Sequence, residues 1–102
     1  RLVKGDEMWL SPNYQQDSCH FTMCIYNPTI NRRTNFYNKL YAATAKFKPR
    51  FHWGKHFDLT PTDMEILYPK FQEFLKVRSK LDPKGLFLNK NLARTFGLQH
   101  LL

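Results

Sequence analysis

The stretch that predicts most of the fold begins with Thr60-Pro61-Thr62-Asp63 and continues at helical spacing to Leu81. Its first threonine can cap a helix, its proline suits the first helical position, and its aspartate complements the positive end of the helix dipole. Pro69 removes a hydrogen-bond donor from this run, so we expect a break after Tyr68. The apolar positions of the two predicted helices are Met64, Leu67, Phe71, Phe74 and Leu75.

Downstream of this stretch the sequence predicts a stop, a turn and a tail. Lysine and arginine residues crowd the last helical turn, where the negative end of the dipole favours cations. Asp82-Pro83-Lys84-Gly85 is typical of a helix end followed by a turn. Leu86-Phe87-Leu88 is expected to return to apolar packing, and residues 92–102 are expected to form a tail with at most a final helical turn.

Upstream of this stretch, Phe51 to Phe57 is predicted to be extended or turning, and it contains His52-Trp53-Gly54-Lys55. A lysine held beside a histidine and an indole on a glycine-relaxed backbone can bind an electron-rich cofactor or an anion. His52 and His56 are four residues apart, a spacing that suits a metal site on a helix. The neighbouring proline and glycine argue against that helix, and the sequence supplies no evident third ligand, so no metal site is predicted.

A third helix is predicted over Asn31 to Lys46, ended by Lys48-Pro49-Arg50. Its apolar residues recur at helical spacing, which predicts that they face the core. This predicted core stripe consists of Phe36, Leu40, Ala43 and Phe47.

The clearest strand is predicted over Ser18 to Tyr26, where apolar and polar residues alternate until Asn27-Pro28 ends the run. One apolar face suits a sheet covered by helices on one side. Leu2-Val3 and Met8-Trp9-Leu10 are expected to flank a short strand pair around a turn at Gly5-Asp6. Together these patterns predict an α+β fold, an antiparallel strand layer with packed helices.

The two cysteines, Cys19 and Cys24, lie five residues apart in the predicted strand. Their side chains would then point to opposite faces, so no disulfide between them is expected. We interpret both as packed thiols. The expected redox setting is either reducing or one to which the protein is indifferent.

Length and composition indicate one small domain or a piece of a larger one, since the chain has 102 residues, of which 42% are hydrophobic. No run approaches the ~18 apolar residues of a membrane span, and no signal peptide is predicted within the chain, which opens on Arg1 without an apolar segment. The net charge is +8, and no Asp or Glu occurs between Asp17 and Asp58. Such an interval can bind nucleic acid, an anionic membrane, a phosphate-bearing cofactor or an acidic protein, although a solvated basic face is the favoured interpretation.

Four blocks of the sequence resemble the C-terminal part of the aldonolactone oxidoreductases, the family of the L-gulonolactone and D-arabinonolactone oxidases in the vanillyl-alcohol oxidase superfamily. The blocks follow the family order at compatible spacings over nearly the whole chain. They are Arg1 to Pro12, Gln16-Asp17-Ser18-Cys19, Arg50-Phe51-His52-Trp53-Gly54-Lys55, and Tyr68-Pro69 with Arg78 and the run from Leu81 to Asn89.

The resemblance implies an α+β C-terminal fragment of a flavin oxidase fold. Residues 1–48 would be the end of a substrate-binding cap region, and residues 49–102 the motif turn and a helical segment returning to the flavin domain. It implies oxidation of a sugar 1,4-lactone, in ascorbate-type biosynthesis, by hydride transfer to FAD. The flavin would be bound mostly by an N-terminal portion, so the isolated chain is expected to be inactive. Molecular oxygen or cytochrome c is the implied electron acceptor, with peripheral association to the endoplasmic reticulum or mitochondrial membrane.

The same resemblance implies roles for individual residues. Lys55 would lie beside the flavin or substrate as a catalytic cation, with His52, Trp53 and Gly54 as cofactor-binding neighbours. Arg1 would be a catalytic arginine that holds substrate.

His20 and Thr22 match a substrate-binding His-x-Thr element, although a solvent-facing pair remains an equal alternative. For the chain as a whole, the competing hypothesis is a small basic binding module for nucleic acid or an anionic surface.

Overall fold

The chain is described by a computed structural model that covers residues 1–27 and 29–102. Its elements in chain order are β1 (Leu2–Val3), β2 (Ser18–Cys19), α1 (Ile30–Thr44), α2 (Pro61–Leu67), α3 (Phe71–Leu81) and α4 (Lys90–Phe96). Single 3-10 turns follow α1 and α4. The expected α+β class is thereby confirmed, with one antiparallel pair of short strands among the described residues. Within the two covered ranges, no helix is long and apolar enough to cross a membrane.

Helix α2 begins with the capping arrangement that the sequence predicts. The Asp63 backbone N–H donates to Thr60 Oγ1 at 3.2 Å, and the Thr60 backbone N–H donates to Asp63 Oδ2 at 2.8 Å. Pro61 occupies the first helical position, where a missing N–H costs nothing. The predicted break is also confirmed, because α2 ends before Tyr68-Pro69 and α3 begins at Phe71.

The core lies where α2, α3 and α4 meet the segment that precedes α2. Met64, Tyr68 and Phe71 are its most buried large side chains. Helical spacing predicts Met64 and Phe71 as apolar positions, whereas Tyr68 lies outside that predicted set. The core is completed by Phe57 and Leu59, from the segment before α2, and by Phe96 of α4.

The tail is more helical than expected, because residues 90–96 form α4. Its start is capped by Asn89 Oδ1, which accepts from the Leu92 N–H at 2.9 Å. Its end is set by Gly97, whose left-handed conformation (φ +71°) suits glycine. The expectation of a single final turn underestimated this element, since the cap residue Asn89 lies outside the apolar pattern.

The turn after α3 is confirmed, and the Asp82 side chain holds it. Its carboxylate accepts from the backbone N–H groups of Leu86 and Phe87 at 2.8 and 3.1 Å and pairs with Arg78 at 2.8 Å. Burial opposes ionisation of this carboxyl, but the hydrogen bonds and the guanidinium outweigh it and lower its pKa. The expected apolar packing of the next residues is wrong for Leu86 and Phe87, which are exposed, while Leu88 is half-buried.

Helix α1 forms where predicted, but its predicted role as a core stripe is wrong. None of its residues is buried, and Phe47, just beyond it, is 72% exposed. The shorter helices fill the core with their own side chains, and α1 meets the body through ring contacts. The Tyr41 and Phe51 rings meet edge to face with centroids 5.2 Å apart.

The strand layer is much smaller than predicted. Only Ser18–Cys19 forms β2, and it pairs with Leu2–Val3 in the register Leu2↔Cys19 and Val3↔Ser18. A strand requires a partner along its length, and after Val3 the chain turns away. There the Gly5 N–H donates to Asp17 Oδ1 at 2.8 Å.

Residues 20–26 are therefore not a strand, and the predicted pairing around Gly5-Asp6 does not form. The predicted strand end at Asn27-Pro28 includes a residue outside the described ranges.

Both cysteine thiols are free and exposed, which contradicts the interpretation as packed thiols. The physical reason is the same as for Phe21, which is 60% exposed: without an extended sheet there is no covered face for these side chains to enter.

Replacement of Tyr68 with phenylalanine is expected to remove part of the chain's sensitivity to alkaline pH. The Tyr68 hydroxyl is buried and finds no hydrogen-bond partner of ordinary geometry among the described residues. Burial raises its pKa to about 12 against the opposing influence of Arg50 and the Phe51 backbone. A raised pKa means that this contribution to stability is intact below about pH 10 and lost as the pH rises towards 12, about 2–3 kcal/mol in total.

The measurement is the free energy of unfolding from urea titrations at about pH 9 and about pH 11.5, for both proteins. The variant should match or exceed the native chain at the lower pH, since it buries one fewer unsatisfied hydroxyl. Parallel losses in the two proteins between these pH values would contradict the assignment.

Candidate functional site

The His52-Trp53-Gly54-Lys55 motif forms a tight turn at the surface. The Lys55 N–H donates to the His52 carbonyl at 3.0 Å, and the Gly54 N–H donates to His52 Nδ1 at 3.0 Å. A Cβ on Gly54 would lie 3.2 Å from the His52 ring, so glycine is what permits this close approach. Because Nδ1 accepts a hydrogen bond, the neutral His52 ring carries its proton on Nε2 and can donate outward.

Trp53 anchors the turn in the core. Its indole Nε1 donates to the Leu10 carbonyl at 2.8 Å. Its ring lies edge to face with Phe57, at a centroid distance of 5.5 Å, and tilted against Tyr68 at 5.7 Å. The one hydrogen-bond donor of the Trp53 indole, a predicted cofactor-binding group, is therefore already bonded within this chain, and much of its ring surface is packed against core side chains. Its observed effect is to fix the backbone from which its neighbours project.

His52, Gly54 and Lys55 are the exposed members of the turn, and only His52 and Lys55 carry polar side chains there. Lys55, which the family resemblance implies to be a catalytic cation, is a surface lysine in this chain and enters no ion pair among the described residues. His56 stacks on Tyr37 with ring centroids 4.2 Å apart. The described residues contain no cluster of three or more metal-ligating side chains.

The sheet brings Arg1 and His20 together. The Arg1 amino group donates to the His20 carbonyl, and the His20 N–H donates to the Arg1 carbonyl, both at 2.7 Å. The His20 ring is exposed, and its Nε2 donates to Asn13 Oδ1 at 2.7 Å. Thr22 is also exposed but lies beyond the ladder. No hydrogen bond among the described residues joins Lys55 to any of these three predicted site residues.

Arg50 organises the surroundings of the turn, and sequence reasoning missed it. Its Nε donates to the Leu67 carbonyl at 2.7 Å, and its Nη1 donates to the Tyr14 carbonyl at 2.8 Å. Its guanidinium carbon lies 5.2 Å from the centre of the Tyr68 ring. Burial lowers the pKa of Arg50, yet an arginine remains charged at any physiological pH. Its position two residues before His52 was the only available signal, and no pattern gave it a role.

Two open clefts are found in the described part of the chain, and neither is lined by the motif turn. One, of about 270 Å³, lies between α1 and α2 and is bordered by Tyr41 and Asp58. Burial, the Asp58 carboxylate and Tyr37 raise the pKa of the Tyr41 hydroxyl. The other, of about 320 Å³, is an apolar groove between α3 and α4. The turn thus offers a projecting cation rather than an enclosed pocket.

Comparison with known proteins places these residues in a family. Residues 1–95 match the family model of D-arabinono-1,4-lactone oxidase, a range that contains every predicted site residue. The chain is 38% identical over 98 residues to the L-gulonolactone oxidase of Mus musculus, which covers 94% of this chain and 22% of that protein.

Two bacterial proteins show a weaker similarity over a comparable range. The chain is 33% identical over 91 residues to the alditol oxidase of a Streptomyces species, covering 87% of this chain and 21% of that protein. It is 28% identical over 97 residues to the L-gulono-1,4-lactone dehydrogenase of Mycobacterium tuberculosis, covering 95% and 22%. The chain spans about a fifth of the length of the curated relatives that it matches.

Proposed function

The chain belongs to the D-arabinono-1,4-lactone oxidase family, and from this membership we propose that it serves an FAD-dependent oxidation of a sugar 1,4-lactone. The observation that carries the proposal is the family match across residues 1–95, which includes the motif turn with its exposed Lys55. The names of the matched relatives give no support to a basic module for nucleic acid or an anionic surface.

The geometry of the turn fits one wall of a flavin site. Lys55 is an exposed cation without an ion-pair partner in the described residues, and His52 presents an Nε2 donor beside it. Trp53 and Gly54 would act through the backbone, since the indole is packed against Phe57 and Tyr68. When bound, FAD would supply the hydride-accepting chemistry. Lys55 would stabilise negative charge that develops next to it, an effect that grows when water is excluded.

The substrate side of the proposal uses the strand pair. Oxidation of the lactone's hydroxyl-bearing carbon removes a hydride from carbon and a proton from oxygen, leaving a carbonyl. Arg1 would hold the substrate by charge-assisted hydrogen bonds, with His20 and Thr22 as polar neighbours. The backbone pairing of Arg1 with His20 supports placing these two residues in one site.

The wider reaction remains part of the proposal. Residues 1–48 would contribute to the substrate-binding cap and residues 49–102 to the wall of the flavin site. Molecular oxygen or cytochrome c would be the final electron acceptor, in an ascorbate-type biosynthetic step at a membrane surface. The cation-rich interval between Asp17 and Asp58 is compatible with such a surface.

The proposal predicts different behaviour for the chain alone and for the chain in a complete enzyme. The chain supplied with FAD and L-gulono-1,4-lactone should show no turnover, since a single turn offers only one wall of a site. A chimaera in which this chain replaces the matched segment of the Mus musculus relative should bind flavin and oxidise the lactone. Measurements of lactone-dependent acceptor reduction and of flavin absorbance test both expectations.

Turnover by the chain alone would contradict the proposal that the active site is divided between this chain and the remainder of a complete enzyme. A folded chimaera that retains flavin but leaves every aldonolactone unoxidised would contradict the proposed function.

A further inference from the structure

We propose that Arg50 is a positioning residue that holds the motif turn in a fixed relation to the strand bearing His20. The structural part of this proposal concerns the turn, the loop of residues 10–14 and β2, and it is argued from the observed contacts alone. Its catalytic consequence rests on the proposed function, because it assumes that Lys55 and His20 serve one site.

The Arg50 guanidinium joins three segments that are distant in sequence. Nε donates to the Leu67 carbonyl at the end of α2, at 2.7 Å. Nη1 donates to the Tyr14 carbonyl at 2.8 Å and to the Pro12 carbonyl at 3.5 Å. Only a planar fork with several N–H donors reaches carbonyls on two sides at once, so lysine cannot reproduce these contacts.

The loop of residues 10–14 is bound from both sides of His52. Arg50, two residues before His52, donates hydrogen bonds to the carbonyls of Pro12 and Tyr14. Trp53, one residue after His52, donates to the carbonyl of Leu10. The turn is therefore held against this loop by two side chains, one on either side of His52 in the sequence.

The same loop holds the His20 ring, because Asn13 Oδ1 accepts from His20 Nε2 at 2.7 Å. The predicted substrate-binding histidine and the predicted cofactor-binding turn thus take their positions from one loop. Loss of the Arg50 contacts would let the two shift relative to each other without removing either.

The electrostatics of Arg50 favour positioning over ion pairing. In the described residues it forms no salt bridge with any carboxylate, and its hydrogen-bond partners are neutral carbonyl groups. By contrast, Arg78 is paired with Asp82 at 2.8 Å, far along the chain from the turn. Arg78 is thus a matched control, a half-buried arginine like Arg50, whose side-chain hydrogen bond among the described residues goes to Asp82 rather than to the turn or the loop.

Hydrogen exchange on the chain itself tests the structural part. Arg50→Lys should speed exchange of the Tyr14 and Lys55 amides by about tenfold or more, because charge-assisted hydrogen bonds are lost locally. The Leu98 amide, which donates to the Ala93 carbonyl at the end of α4, should be unaffected. Arg78→Lys should leave Tyr14 and Lys55 unchanged. Equal acceleration at all three amides, or none at Tyr14 and Lys55, would overturn the proposal.

Kinetics of the chimaera tests the catalytic consequence. Arg50→Ala should lower kcat/KM for the lactone by about tenfold to hundredfold while retaining flavin, and added guanidinium ion should restore part of it. Arg78→Ala should gain nothing from guanidinium. An inactive native chimaera would count against the proposed function and leave the exchange result to decide on Arg50. An active chimaera without guanidinium rescue would overturn the catalytic role.

Discussion

Replacement of Phe71 with alanine is expected to destabilise the chain by about 3–5 kcal/mol, enough to leave much of it unfolded at room temperature. A domain of this length has about 5–15 kcal/mol of total stability, and a small core places it towards the lower end. Phe71 is 2% exposed, at the junction of α2 and α3, and its ring centroid lies 5.8 Å from that of Phe96 on α4. Truncation would remove one of the ring contacts that join α3 to α4 in the core and leave a cavity there.

Phe87→Ala is the matched control, since this ring is 84% exposed and should change stability by less than about 0.5 kcal/mol. Urea unfolding followed by far-ultraviolet circular dichroism gives both values, with unchanged m-values as the sign of an intact native state. Similar losses for the two variants would show that the core does not lie where the structure puts it.

Helices α2 and α3 were predictable from the sequence because their signals are local, unlike α4, whose extent the sequence prediction underestimated. The capping box between Thr60 and Asp63 and the break at Pro69 each depend on residues within one or two turns. The burial of Met64 and Phe71 followed from helical spacing alone. Where the local pattern and the long-range packing agree, a single sequence is sufficient.

The predictions of a long strand and of a core stripe on α1 were wrong for a non-local reason. Alternation over Ser18 to Tyr26 describes a segment that could be a strand, but a ladder also needs a partner of equal length, and Leu2–Val3 offers two residues. Likewise, the apolar stripe of α1 needed an apolar surface to cover. The core was already closed by Phe57 and Phe96, so α1 stayed half-exposed.

For the site, the sequence identified the turn but not what holds it. Lys55 and His52 could be proposed because the motif is contiguous. The contacts of Arg50 with Tyr14 and of Trp53 with Leu10 join residues about forty positions apart, and no spacing rule connects them. Only the folded chain shows that Trp53 is an anchor.

Replacement of Lys55 with methionine is expected to lower kcat/KM of the chimaera for its lactone by about a hundredfold to a thousandfold. Methionine keeps an unbranched side chain of similar length and removes the charge. The expected size rests on the role proposed for Lys55, because a cation next to developing negative charge stabilises it far more once water is excluded than in solution. Flavin content should be retained, because most of the flavin contacts are proposed to lie outside this chain.

The same substitution should leave the chain's free energy of unfolding within about 0.5 kcal/mol of the native value, since Lys55 is exposed and enters no ion pair among the described residues. Activity and stability are thus expected to separate at Lys55, whereas at Phe71 they should fall together. Lys84→Met, on an exposed turn distant in sequence, controls for the loss of one positive charge and should keep full activity. A general effect of net charge would act on both variants alike. Equal activity of the Lys55 and Lys84 variants would therefore contradict the assignment of Lys55 to the site.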